Sequence, residues 1–327
     1  MSAQRIWLAF VACVAAFIFT GCNSTSTSPS QSPPPTQRLY VTTDLPNPGG
    51  VAIFVYNLPL TSSSQAALTM LTTGYGVGNP CLDSAGHIFI PVEGVNGKPP
   101  SGPISAFALP LAPTSAAVFT LSAPDIPSDC HFDPAGNMYV ANQSALPIGI
   151  QVFKAPVQSG SAINSTITAS IVTPSGVWTD SSGAVYVSNG GNVLVYSSFA
   201  TGNTLQATLG RKGFIVNSGL ALGPTGSLYV LNGTALGEID VYDPPFTDTS
   251  LRNQSKTITL AAPLFGNALT YLSFDKLGDM FVGVDLGCPF TGCVGNSHIY
   301  MLQPPYKSVN VDLDLGATSV IGLTVGG

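Results

Sequence analysis

One β-unit recurs along most of this 327-residue chain, and it constrains the fold more than any other feature. An apolar run leads into Asp-x-x-Gly, and a second apolar run follows. The unit reads CLDSAGHIFI (81–90), HFDPAGNMYV (131–140), WTDSSGAVYV (178–187), ALGPTGSLYV (221–230) and SFDKLGDMFV (273–282). The turn position falls at Asp83, Asp133, Asp180, Gly223 and Asp275, at intervals of 50, 47, 43 and 52 residues. Asp caps such a turn through its side chain, and Gly supplies the positive φ before the next strand. These aspartates are therefore read as structural.

A third strand follows each unit: IFVY (53–56), ISAF (104–107), IQVF (150–153), VLVY (193–196), EIDVY (238–242) and a weaker IYML (299–302). A proline usually comes three residues after the aromatic position, at Pro59, Pro110, Pro156, Pro245 and Pro305. A fourth apolar strand comes later, as in AVFTL (117–121) and KTITL (256–260). Four short strands per repeat are the signature of propeller blades. The first copy, RLYV (38–41), is a second-strand motif with no first strand before it. The last, VIGLTVGG (320–327), is a first-strand motif with nothing after it. The two halves are expected to pair as one composite blade, which also protects the ring's edges. The expected fold is all-β: a six-bladed propeller over 38–327, closed by its terminal strands. Composition agrees. Only 8% of residues are charged, while Gly 35 and Pro 27 are high, which suits strands and turns better than helical surfaces.

The N-terminus reads as an address. Arg5 precedes an apolar stretch, Ile6 to Phe19, too short to span a bilayer comfortably. Phe19-Thr20-Gly21-Cys22 resembles the lipobox of bacterial lipoprotein signals, although Phe19 stands where Leu is usual. The resemblance implies cleavage of a 1–21 signal peptide before Cys22, and acylation of that cysteine. Residues 22–37, NSTSTSPSQSPPPTQ after the cysteine, hold no large apolar side chain and read as a disordered, extended tether. Its reach is roughly 50 Å at about 3.1 Å per residue. Several acyl chains would make anchoring stable. Asn23 after the cysteine resembles an outer-membrane sorting pattern. The expected location is the bacterial cell envelope, at the outer membrane or the periplasmic or extracellular face.

The mean hydropathy is +0.35, yet no run of 18 apolar residues exists. The net charge is −6, and −7 once Arg5 leaves with the signal. A phosphate backbone would be repelled, so no nucleic-acid partner is expected.

Motifs such as HFDPAGNMYVAN followed by IQVF resemble NHL-repeat propellers across 38–327. The larger superfamily also includes gluconolactonase-like propellers. The resemblance implies the fold and is nearly silent on function.

Beyond Cys13 and Cys22, four cysteines remain, an even number in an exported chain. Cys288 and Cys293 bracket CPFTGC within one long loop of blade 6, where a disulfide would staple the loop. Cys81 and Cys130 lie on inner strands of consecutive blades, two and three residues before their turn aspartates. Side chains alternate along a strand, so the two point to opposite faces of their own blades, as a disulfide between blades 2 and 3 requires. The alternative is two buried thiols.

Three kinds of enzymatic site make distinct demands on the sequence. A gluconolactonase-like metal site needs Glu, Asn and Asp ligands where the inner strands begin. Those positions read Gly78-Asn79, Ser128-Asp129, Ser175-Gly176, Ser218-Gly219, Thr270-Tyr271 and Ile321-Gly322. Only Asp129 is acidic, and a divalent cation wants several charged oxygen ligands. A zinc lyase needs converging histidines, but His87, His131 and His298 are placed far apart. No Gly-x-Ser-x-Gly elbow supports a serine hydrolase. Asn142, Asn189 and Asn232 end second strands in YVAN, YVSN and YVLN. They read as caps of loop backbone, or as the lining of a polar pocket. Trp178 reads as a core aromatic.

The reading that follows is a non-enzymatic binding module, needing no cofactor or metal and held at the membrane through Cys22. Its ligand is a protein, glycan or small molecule on the polar top face. The ligand-contact candidates are Asp129, Asn79, Asn142, Asn189 and Asn232, with Glu93 and Asp285 in the long loops 93–102 and 285–297. The alternative is a gluconolactonase- or lyase-type propeller enzyme acting on a sugar lactone or cell-envelope fragment.

Overall fold

The computed structural model describes residues 37–327, apart from 46–49, 73–77, 93–101, 124–125, 144–146, 212–215, 234–236, 261–268, 286–296 and 317–318. These residues belong to one compact unit, Thr36–Gly327.

Among the described residues the strands form six sheets. Blade 1 runs Ser319–Gly326, Arg38–Leu45, Gly50–Asn57, Leu68–Thr72 from the axis outwards. Blade 2 is Cys81–Leu82, His87–Pro91, Pro103–Ala108, Phe119–Ser122, and blade 3 is Pro127–Phe132, Met138–Asn142, Gly149–Phe153, Ile163–Ile167. Blade 4 is Pro174–Thr179, Val185–Asn189, Asn192–Tyr196, Leu205–Leu209. Blade 5 is Val216–Leu222, Leu228–Asn232, Glu238–Tyr242, Lys256–Thr259, and blade 6 is Leu269–Phe274, Met280–Asp285, Ser297–Leu302, Val311–Asp314. Each inner strand touches the inner strands of both neighbouring blades, and blade 6 meets blade 1. The ring is closed as the repeat requires. The last strand pairs antiparallel with the first, with Leu39 opposite Val325 and Val41 opposite Leu323.

The core follows from this stacking. Six apolar clusters lie one at each interface between adjacent blades. A middle strand is covered on both faces, so it reads as a continuous apolar run, without alternation. MYVAN, VYVSN and LYVLN are buried along their whole length. Outer strands such as Leu205–Leu209 expose every second residue or so.

The turn chemistry holds in detail. The turn glycines Gly86, Gly136, Gly183, Gly226 and Gly278 all have φ between +79° and +89°. Asp180 Oδ1 accepts the amides of Ser182 and Ala184, and Asp275 Oδ1 those of Leu277 and Asp279. In blades 3 and 4 the second carboxylate oxygen accepts a tyrosine hydroxyl from the next strand, Tyr139 and Tyr186. The five recurring prolines, Pro59, Pro110, Pro156, Pro245 and Pro305, all follow cis peptide bonds. Blade 4 lacks this proline and turns through a 3-10 segment, Phe199–Thr201.

One element departs from the repeat. The long connection between the third and outer strands of blade 5 reaches sideways. Its segment Leu251–Arg252 pairs parallel with blade 4's outer strand, Leu251 opposite Thr208 and Arg252 opposite Leu209. The Arg252 guanidinium donates to the carbonyls of Asp243 and Pro245, at 2.7 and 2.6 Å. The blade periodicity gives no hint of this crossing.

Candidate functional site

The positions where inner strands begin converge around the axis, and Asn79 and Asp129 bond across the blades there. Asn79 of blade 2 donates its amide nitrogen to Asp129 Oδ1 of blade 3 at 2.9 Å. Asn79 Oδ1 accepts the Leu323 amide of blade 1 at 2.8 Å. Asp129 Oδ2 accepts the Val177 amide of blade 4 at 2.7 Å. One hydrogen-bonded chain thus runs through four consecutive blades. The Asn79 amide also donates to the Ser128 carbonyl at 2.9 Å. From the opposite side of the ring, the Tyr271 hydroxyl of blade 6 reaches the same carbonyl at 3.1 Å.

Glycines permit this close approach. A Cβ on Gly78 would lie 2.4 Å from the Ser128 carbonyl oxygen, and one on Gly322 would lie 2.6 Å from the Asn79 Cα. Only a residue without a side chain fits there.

Asp129 is 2% exposed, and burial pushes its carboxyl up to about 8. Its oxygens are turned to Asn79 and Val177, and no second acid stands beside it at the start of an inner strand. Among the described residues, no three His, Cys, Asp or Glu side chains are grouped to hold a metal ion. The donor set does not fit a lactonase-type divalent cation, which needs several charged oxygens.

The histidines go to separate places. His87 Nδ1 lies 2.8 Å from Asp83 Oδ2 on the Asp-x-x-Gly face. His298 Nδ1 lies 2.6 Å from Asp312 Oδ1 in blade 6. His131 Nδ1 lies 2.8 Å from Thr179 Oγ1, and its ring packs on Trp178 with centroids 4.0 Å apart. Burial holds His131 down at about 4, so it is neutral at ordinary pH.

Asn189 caps loop backbone: its Oδ1 accepts the amides of Val172 and Thr173, and its Nδ2 donates to the Ser170 carbonyl. Asn142 is fully buried at the end of its strand. Asn232 is also buried, and its Nδ2 lies 3.4 Å from both Glu238 Oε2 and Asp240 Oδ2. Asp285 ends its strand opposite Ser297. Cys81 and Cys130 form a disulfide across blades 2 and 3, with Cα atoms 5.5 Å apart. Cys22, Glu93, Cys288 and Cys293 lie outside the described residues.

A half-buried ionic cluster lies outside the repeat pattern. Arg211, just past blade 4's outer strand, pairs with Glu238 and places Nε 3.3 Å from Asp240 Oδ2. Asp240 is fully buried, and Thr257 donates to its other oxygen at 2.8 Å. One signal was present. Asp240 stands where the other third strands carry Phe54, Ser105, Gln151, Leu194 and Tyr300. Its partner Arg211 belongs to a different blade, where no periodicity points.

No known protein family matches the chain, and no curated protein does. Solved structures do. The chain is similar to a protein of unknown function from Bacteroides caccae, with 12% identity and a TM-score of 0.59 over 89% of this chain and 98% of that one. It is also similar to a protein from Lactobacillus plantarum, with 13% identity and a TM-score of 0.60 over 89% of this chain and 99% of that one. Likeness at this identity establishes the fold alone.

Proposed function

We propose that this chain is a membrane-tethered, extracytoplasmic binding module that catalyses no reaction. It presents the loops opposite the Asp-x-x-Gly turns to a protein, glycan or small-molecule ligand. The observation that carries the reading is the Asn79–Asp129 pair. The one acid where inner strands begin is buried, and its oxygens are engaged in joining blades. A rigid ring whose one entry acid is so engaged suits a scaffold, and recognition then falls to its longest loops. Those are 93–102 in blade 2 and 285–297 in blade 6, the second pre-ordered by a Cys288–Cys293 disulfide. Cys22 carries the lipid, and 23–37 is the tether.

Two measurements test this. The full chain expressed in a bacterial host should fractionate with membranes and incorporate labelled palmitate, and Cys22→Ser should release it. Deleting residues 288–293, with the circular dichroism spectrum unchanged, should abolish capture of the envelope partner. Stoichiometric Ca²⁺ or Zn²⁺ in the purified protein would favour the lactonase- or lyase-type enzyme instead.

A further inference from the structure

A groove of about 740 Å³ opens between blades 4 and 5 on the Asp-x-x-Gly face, away from the loops invoked above. Its size is that of small-molecule sites. One side is the Asp180–Ser182 turn of blade 4, and the facing side is the Gly223–Gly226 turn of blade 5. Trp178, half-buried, supplies aromatic surface with Tyr186 and Phe246 buried behind it, and Gln206 and Thr225 add polar side chains.

The groove sits where both flanking blades leave the repeat. Blade 4 lacks the recurring proline and turns through Phe199–Thr201. Blade 5 has Gly223 in place of the turn aspartate, so one carboxylate is missing from the rim. The sideways crossing of blade 5 adds a further wall through Pro244, Phe246 and Thr247. At the next interface the matching space is filled: Phe274 and Tyr306 close on Tyr229, with ring centroids 5.0 and 5.6 Å away.

The lining says what the groove can hold. Asp180 is its one charged side chain. That carboxylate accepts two amides, the Ser182 hydroxyl and the Tyr186 hydroxyl. An anionic ligand would find no counter-ion here, and four donors already occupy the one carboxylate a cation could use. Trp178 packs one neighbour on the His131 ring and still lines the groove. An indole beside hydroxyls and a carboxamide matches a molecule with apolar C–H faces and hydroxyl edges. We infer that this groove is a binding site for a neutral, hydroxyl-rich ring compound, a short uncharged oligosaccharide. The site is separate from the face assigned above, and either can fail without the other.

The chain itself supplies the reporter. Its two tryptophans are Trp7, in the N-terminal segment, and Trp178. Full-length protein carrying Trp7→Phe therefore fluoresces from the groove alone. Titration with chitotetraose and with cellotetraose is expected to give a saturable change in that emission for at least one of them. Thr225→Arg, on the exposed rim, should weaken that binding at least tenfold while the thermal unfolding midpoint stays put. The inference is overturned if neither sugar saturates the signal, or if Thr225→Arg leaves binding intact. It is equally overturned if a proline-rich peptide saturates the signal and the sugars do not. Deleting residues 288–293 should leave sugar binding unchanged, which separates this site from the loop-borne one.

Discussion

The hydroxyl of Tyr271 in blade 6 donates across the axis to the backbone carbonyl of Ser128 in blade 3, 3.1 Å away. These blades face each other across the ring, so one side chain spans the channel at that level. Gly219 makes room beside it: a Cβ there would lie 2.8 Å from the Tyr271 Cα. Tyr271 therefore crosses the channel at the level where a propeller active site would open.

Removing only the hydroxyl tests how much that bridge contributes. In Tyr271→Phe the Ser128 carbonyl keeps its bond from the Asn79 amide. That acceptor is not orphaned, so the cost should be at the low end for a hydrogen bond, about 0.5–1 kcal/mol in urea unfolding. Tyr271→Ala also empties a buried ring volume, and should cost about 3–5 kcal/mol. Equal losses in the two variants would mean that the ring contributes nothing to closure.

Asp129 should give the fold an unusual pH dependence. Its folded carboxyl is pushed up by burial to about 8, from an ordinary value of 3.8. Between those values the folded protein holds a proton that the unfolded chain releases. Stability from this group is therefore full below about pH 4 and falls as pH rises towards 8. Asp129→Asn cannot titrate. Its urea midpoint should fall less between pH 4 and 8 than that of the unaltered protein. Parallel profiles would refute the assignment, whatever the absolute cost of placing an amide against the Asn79 amide.

The repeat made the ring legible because each blade solves the same local problem with the same residues. The Asp-x-x-Gly turns, the closing pair of Leu39 and Val325, and the facing of Cys81 and Cys130 all follow from period and alternation. What periodicity cannot show is a contact made once. The bridge from Tyr271 to Ser128, the pairing of Leu251 with Thr208, and Arg211 against Asp240 each join residues of different blades. Asp129 and Asn79 stood out as polar residues at the start of inner strands. Only the geometry shows that they satisfy one another.

The Cys81–Cys130 disulfide closes a loop of sequence separation 49 at the centre of the ring. A loop of that length constrains the unfolded chain by about 4 kcal/mol. The double variant Cys81→Ala, Cys130→Ala should lose most of this in denaturant. Dithiothreitol should lower the unfolding temperature of the unaltered protein towards that of the variant, and leave the variant unmoved. A midpoint for the variant equal to the parent's would show that the crosslink does not limit unfolding.

Gly223 is the one turn position of the five repeat units without an aspartate, so restoring the repeat looks like a stabilising change. The structure argues the reverse. A Cβ at residue 223 would lie 2.6 Å from the Tyr229 ring. That ring cannot swing away: it is 4% exposed and held by Phe274 and Tyr306, with centroids 5.0 and 5.6 Å distant. In blades 3 and 4 the equivalent tyrosines, Tyr139 and Tyr186, instead place their hydroxyls on the turn carboxylate. Blade 5 has exchanged that hydrogen bond for close ring packing against the glycine. Gly223→Asp should therefore destabilise by about 1–3 kcal/mol, the cost of overpacking a filled core. Gly223→Asp combined with Tyr229→Ala should be less harmful than the sum of the two single changes. Additive losses in that cycle would place the strain elsewhere than between residues 223 and 229.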